Sequence, residues 1–498
     1  MDNQPDIQII WNEDKTLING TSMLTIYLLL SNCALVALLL PKNVNSTRNS
    51  VFRIFCIVFI GILSVVTILQ RYRLPVFLFL VAYHKLRGNF KLKFKENEND
   101  DSISQFPKPS KTQKTQKTIN SRKQSKIRKV LGANDSLDIK SPNHRDDICF
   151  FDHPYAAKTP QTHTTQLPSL TILRIACMLI TIIAILAVDF PSIFPREFSK
   201  TDQYGYSLMD TGVGILIFGM GAAFGLSKRE KSSRSDFVQF VFVLTIGVAR
   251  AIVITYLSRN DLYRFNENEY GRHWNFFLTV AVIKLLNEGL LRGKTGVSWL
   301  VFGFFAMVFY EFHLQNGLEL AIMKNDHIGD HDPEISGLLN FLNSFYVANQ
   351  EGICSCIGYF CLSVGSAAFT KIFMSDENDS KTDQFRKLVK IWCFWTLSNI
   401  FAPGNASRRL ANTKYVVWIF ALCYYCWLMV FVITQHIQTV PKIFEKLNKH
   451  QMGAFLVANI LTGAVNSGMN TLECGPVQAF IVMVIYLLVV AGFLWTKM

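Results

Sequence analysis

The 498-residue sequence has none of the ten-residue alternating apolar and polar segments from which membrane barrels are built, and this excludes a β-barrel. It also lacks any legible nucleic-acid-binding module, so its formal net charge of +14 is not read as a sign of a nucleic-acid partner. Internal repeats of loop length or motif are missing, which weighs against a transporter assembled from duplicated halves. The first apolar run, Ser22 to Leu40, has no basic stretch before it and no small-residue cleavage site after it. It is therefore expected to stay in the membrane as a helix rather than leave as a signal.

What the sequence does contain is hydrophobic length. Half of its residues are hydrophobic, forty are phenylalanine, and only 17% are charged. Apolar runs of about 18 to 22 residues recur, each long enough to cross roughly 30 Å of hydrocarbon at 1.5 Å per residue. The expected fold is all-α, a polytopic transmembrane helical bundle of about thirteen spans. They run Ser22 to Leu40, Phe52 to Leu69, Leu74 to Tyr83, Pro168 to Val188, Leu208 to Leu226, Phe237 to Leu257, His273 to Leu291, Val297 to Phe312, Gly352 to Phe373, Leu388 to Ala402, Tyr415 to Thr434, Met452 to Met469 and Val477 to Trp495. Three regions follow: amino-terminal helices over 1–83, a loop over 84–167, and a ten-helix core over 168–498.

The loop changes character. Between Lys85 and Gln166 it holds seventeen Lys plus Arg against nine Asp plus Glu, and it is too polar to bury a core. A cytosolic tether on anionic lipid fits it. With that loop cytosolic, thirteen spans place the amino terminus in the lumen and the carboxyl terminus in the cytosol. Most short basic loops then fall on the cytosolic side, as topology requires. The dissenters are Arg71 and Arg73, and Arg408 and Arg409.

Most of the eleven cysteines lie inside apolar runs, where they read as packing thiols. Cys423 and Cys426 form a C-x-x-C without the polar setting of a redox or zinc site. His327, His331 and Asp332 sit among Gly, Asp and Pro with no helical pattern, so a solvated loop is expected there and no metal site.

The remaining polar residues gather at one membrane boundary. Asp189 ends the fourth span. Tyr270-Gly271-Arg272-His273-Trp274-Asn275 opens the seventh, Asn349-Gln350-Glu351-Gly352 opens the ninth, Arg408-Arg409 precedes the eleventh, and Asn466 ends the twelfth. Arg272 and Trp274 fit interfacial anchors as well as substrate contacts, and Glu351 fits a helix amino-terminal charge. Asp189 and Lys200, eleven residues apart, read either as an interfacial ion pair or as an acid-base pair. Pro191 and Pro195 fix the path between them, while Phe190, Phe194 and Phe198 would exclude water and raise the proton affinity of the carboxylate.

At these residues the sequence resembles the glucosaminyl-phosphatidylinositol inositol acyltransferases of the endoplasmic reticulum, the PIG-W family, fungal members included. The resemblance rests on ILAVDFPSIFPREFSK, GYSLMDTGVG, YGRHWNFF, NQEGICSCIGY, SRRLANTKYVVWI and LVANILTGAVNSGMNT, from about Arg174 to the carboxyl terminus. Ser192 lengthens the Asp-to-Lys segment by one residue relative to the family pattern. The resemblance implies a multi-pass endoplasmic reticulum membrane protein that transfers a fatty acyl group, typically palmitoyl, from acyl-CoA to an inositol hydroxyl of glucosaminyl-phosphatidylinositol. Palmitoyl-CoA is then a co-substrate and no cofactor stays bound. It also implies catalytic roles for Asp189 and Lys200. Arg272, Arg408 and Arg409 would hold the headgroup phosphate, and His273, Asn275 and Glu351 its hydroxyls, with Arg196, Trp274 and Asn466 in the same substrate-binding set. Arg174, at the opposite end of the fourth span, either snorkels or meets CoA phosphates. The competing reading is a multi-pass lipid or small-molecule transporter, which would carry its polar groups at the bilayer midplane.

Overall fold

The computed structural model describes residues 20–37, 60–67, 69–86, 168–227, 234–259, 270–324, 337–376, 378–436 and 442–496. Residues 87–167, the bulk of the expected basic loop, lie outside this set, as do His327, His331 and Asp332. The regular elements among the described residues are helices, with no strand beyond isolated bridges from Gly20 and Thr21 to Tyr206. In chain order they are α1 (Met23–Ala37), α2 (Gly61–Val66), α3 (Arg73–Leu86), α4 (Pro168–Ala187), α5 (Leu208–Leu226), α6 (Arg234–Arg259) and α7 (Phe276–Leu286), which runs on into a π turn at Asn287–Leu291. Then come α8 (Gly296–His313), α9 (Glu319–Met323), α10 (Gly337–Phe373), α11 (Lys381–Phe401), α12 (Thr413–His436), α13 (Lys442–Lys449), α14 (Gln451–Gly468) and α15 (Pro476–Thr496). Each of the thirteen expected runs contains helix in its described part, although the seventh begins at Phe276 rather than His273, with Asn275 as its cap. Seven helical stretches among the described residues are long and apolar enough to cross a membrane.

Burial separates the centre of the bundle from its edge. In α10 and α12, 83% and 72% of the apolar stretch is buried, whereas in α6 and α8 the share is 17%. The outer helices keep apolar side chains such as Phe237, Ile252, Phe304 and Phe309 exposed, as lipid-facing positions require. At the centre, α5 lies directly on α10. Gly221 and Gly225 are spaced four apart, and a Cβ on either would fall 2.0 Å from Ser366 Oγ or 2.3 Å from the Ala367 carbonyl oxygen. Only this small-residue spacing lets the two backbones approach so closely. One turn earlier on the same stripe α5 presents Phe218 edge-on to Phe420, Tyr424 and Trp427 of α12, at centroid distances of 6.1, 5.1 and 6.3 Å.

One expected boundary moves. The ninth run was to begin at Gly352, but α10 starts at Gly337, so Asn349, Gln350 and Glu351 lie inside the helix and Glu351 does not cap its amino terminus. The fifteen residues before Gly352 are too polar for a hydrocarbon run, yet nothing in them breaks a helix.

Candidate active site

The segment after α4 is built to stop the helix and hold a carboxylate. Val188 N–H still reaches the Ala184 carbonyl at 3.1 Å, but Asp189 N–H and Phe190 N–H bond three residues back, to Leu186 and Ala187, each at 3.1 Å. Pro191, with no N–H to give, follows at once. Ile193 and Phe194 N–H then close a turn on the Phe190 carbonyl at 3.1 and 3.0 Å. Ser192 is exposed on that turn. Pro195 leads into a short turn over Arg196–Phe198. Phe190, Phe194 and Phe198 are fully buried beneath the loop.

Asp189 itself is half-buried, and its Oδ2 accepts a 2.9 Å hydrogen bond from Asn466 Nδ2 at the end of α14. Burial raises its pKa above the ordinary 3.8, while the Asn466 bond and the nearby Arg196 and Lys200 charges hold it down. The carboxylate thus has more proton affinity than a solvated aspartate and still keeps the amide bond and two cations that stabilise its charged form. Arg196 is exposed, and Glu197 beside it pairs with Arg73 at 3.6 Å.

The two arginines ahead of α12 are consumed in frame building. Arg408 Nε donates to Asp210 Oδ1 at 2.9 Å, and the other carboxylate oxygen accepts from the Thr201 hydroxyl at 2.8 Å and from its N–H at 3.3 Å. Arg409 forks onto Glu351, Nε to Oε1 at 3.0 Å and Nη2 to Oε2 at 2.8 Å, and its Nη1 reaches the Asp202 carbonyl at 3.1 Å. All four side chains are at most 4% exposed. Three of the arginines that dissent from the positive-inside pattern, Arg73, Arg408 and Arg409, therefore each hold a carboxylate on the same side.

The YGRHWN and NQEG motifs dock on each other. Asn349 Oδ1 accepts from His273 N–H at 2.7 Å and Trp274 N–H at 2.8 Å; Arg272 N–H donates to the Ala348 carbonyl at 2.9 Å, and Gly352 N–H to Tyr270 at 3.0 Å. Gly352 is required, since a Cβ there would lie 2.3 Å from Trp274 Cδ1. Asn275 caps α7 by accepting from Phe277 N–H at 3.0 Å and Leu278 N–H at 3.3 Å, and its Nδ2 donates to the Gly247 carbonyl at 2.9 Å. Both ends of this buried amide are therefore engaged within the protein. Trp274 Nε1 donates to Thr279 at 2.9 Å, His273 Nδ1 meets the Thr255 hydroxyl at 3.2 Å, and Arg272 is exposed at the rim.

Beside this polar edge lies a cavity of about 230 Å³. Its wall is largely apolar, with Ile185 of α4, Leu216 of α5, Phe277 of α7 and Phe455 of α14, and Lys200, Arg408, Tyr270 and Arg250 supply polar ends. Ile185 precedes Asp189 by one helical turn. Arg174 is fifteen residues before Asp189, about 22 Å back along α4, and its stem packs 3.3 Å from the Cβ position of Gly219. Among the described residues no cluster of ligating side chains could hold a metal. Sequence reasoning missed two contributors, Asp210 as partner of Arg408 and Arg250 on the cavity wall. The second had a signal, since Arg250 is the single charge in the run Phe237 to Leu257.

These features define a helical membrane protein with a carboxylate-centred polar site at the ends of its helices, next to an apolar cavity. The chain belongs to the GWT1 family, whose profile matches residues 15–497. It is 31% identical over 353 residues to GPI-anchored wall transfer protein 1 of Eremothecium gossypii, covering 61% of this chain and 70% of that one. The protein of the same name from Candida albicans is 31% identical over 370 residues, 64% and 71% of the two chains. That of Saccharomyces cerevisiae is 29% identical over 386 residues, 66% and 74%.

Proposed function

We propose that this protein is a membrane-embedded O-acyltransferase of glycosylphosphatidylinositol-anchor biosynthesis in the endoplasmic reticulum, moving a palmitoyl group from palmitoyl-CoA to an inositol hydroxyl of glucosaminyl-phosphatidylinositol. The observation that carries this reading is Asp189, hydrogen-bonded by Asn466 and acted on by Lys200, one turn beyond an apolar cavity wall. Family membership and the relatives' names support the pathway.

In this reading Asp189 takes the proton of the inositol hydroxyl as its oxygen attacks the thioester carbonyl. Lys200 steadies the oxyanion. Collapse of the tetrahedral intermediate breaks the carbon–sulfur bond, and the CoA thiolate leaves with the proton returned from Asp189. The thioester is already activated, so no serine or cysteine nucleophile is needed. The cavity takes the apolar chain. Arg196, Arg272 and His273 face the headgroup at the rim, whereas Arg408, Arg409, Glu351, Asn275 and Trp274 serve through the frame they build. Arg174 would meet the CoA phosphates of a donor entering from the opposite face.

The test is acyl transfer by purified protein with palmitoyl-CoA and glucosaminyl-phosphatidylinositol. Asp189→Asn should lower kcat by at least about a hundredfold, the usual scale for a lost general base. An unchanged rate would remove Asp189 from the mechanism. Substrate crossing the membrane without acylated product would favour the transporter.

A further inference from the structure

Arg250 is the single charge in the apolar run Phe237 to Leu257. A guanidinium inside a spanning helix persists only where it has a partner or a task. The well-buried arginine side chains of the bundle have carboxylates: Arg292 has Glu288 and Asp236, Arg408 has Asp210, and Arg409 has Glu351. Arg250 differs from them in being exposed. It has no such carboxylate among the described residues, and no hydrogen bond there engages it. Its side chain lines the same cavity as Lys200.

Its depth is fixed by neighbours. Three residues earlier, the Gly247 carbonyl accepts from Asn275 at the start of α7; five residues later, Thr255 meets His273 at the rim. Arg250 therefore sits between these two levels, one to two turns inside the Thr255–His273 rim, on the wall of a cavity that Phe276 and Phe277 also line. A planar fork of N–H donors at the junction of a polar rim and an apolar wall matches a phosphate group whose molecule continues into hydrocarbon.

We infer that Arg250 is the phosphate anchor of the cavity, binding the phosphate of a lipid-linked substrate. This rests on the acyl-transfer reading for which phosphates reach the site: the phosphodiester of the inositol phospholipid or the phosphates of the acyl-CoA. The fork holds the phosphate while the apolar part lies along the helices, placing the reacting end toward Lys200 and Asp189.

The test compares wild-type, Arg250→Lys and Arg250→Gln protein in detergent by ligand-induced thermal stabilisation. The separate probes are phosphatidylinositol, palmitoyl-CoA and diacylglycerol, which has no phosphate. Expected is a loss of roughly 10- to 100-fold in affinity for one phosphate-bearing probe in Arg250→Gln, a smaller loss in Arg250→Lys, and unchanged diacylglycerol binding. Loss confined to phosphatidylinositol assigns the anchor to the acceptor lipid; loss confined to palmitoyl-CoA assigns it to the donor. In turnover the same variant should raise KM for that substrate while kcat stays within about threefold. Undiminished binding of both phosphate probes would overturn the inference, and so would loss of diacylglycerol binding along with them, since that marks collapse of the cavity. Inactivity of the wild type toward glucosaminyl-phosphatidylinositol would sink the acyl-transfer reading alone, because the binding comparison needs no catalysis.

Discussion

Glu351→Gln is the sharpest probe of the frame. The substitution keeps the side chain's size and removes its charge, leaving the Arg409 guanidinium buried opposite an amide whose NH2 group faces one of the two fork bonds now at 3.0 and 2.8 Å. Both side chains are at most 3% exposed, so water cannot compensate. Breaking a buried pair by removing one partner costs about 3–5 kcal/mol, roughly a hundredfold to several thousandfold in the folded-to-unfolded ratio. Arg409→Met should cost a similar amount, because it strands the Glu351 carboxylate and also removes the bond to the Asp202 carbonyl. The double variant Glu351→Gln/Arg409→Met leaves no unpaired charge and should cost no more than either single variant. SDS titration of the detergent-solubilised protein, followed by the loss of monodisperse elution, gives the four stabilities and a coupling of several kcal/mol. Single variants costing under about 1 kcal/mol each, and simply adding in the double, would refute the pairing. A raised KM for the acceptor at unchanged stability would instead put the Arg409 charge on the substrate.

The Asn466→Ala variant removes a hydrogen bond that favours the charged form of Asp189, so its raised pKa should rise further. A base must be ionised to act, so the acid limb of kcat/KM should move to higher pH; a limb that moves down or stays fixed would disconnect Asn466 from Asp189. The linked stability runs the other way: because folding raises the pKa of this carboxylate above 3.8, its contribution is fully present below that pH and is lost as pH rises through the folded-state value. Gly352→Ala would set a Cβ 2.3 Å from Trp274 Cδ1 and 2.5 Å from the Tyr270 carbonyl oxygen, costing about 1–3 kcal/mol by overpacking. An unchanged unfolding midpoint would show that the loop slides aside freely.

The helices were legible because crossing hydrocarbon demands about twenty apolar residues, and that demand is written locally. The stop after Asp189 was legible for the same reason: a charge, two prolines and the end of an apolar run lie within seven residues. Hydropathy failed at α10, whose first fifteen residues are polar enough to read as a loop. They are held as helix by tertiary contacts such as Asn349 with the YGRHWN backbone.

By itself the sequence determined an all-helical membrane chain, the place where α4 must end, and the gathering of polar residues at helix ends. Hydrocarbon length, missing proline N–H groups and charge exclusion all act over a few residues. The tertiary structure alone decided partnership. Arg408 meets Asp210 and Arg409 meets Glu351 across 198 and 58 residues of chain, and Asn466 reaches Asp189 across 277. Which buried charge satisfies which depends on how the helices pack. That packing paired Arg408 with Asp210 and Arg409 with Glu351 in the frame, and it set Arg250 and Arg408 on the cavity wall.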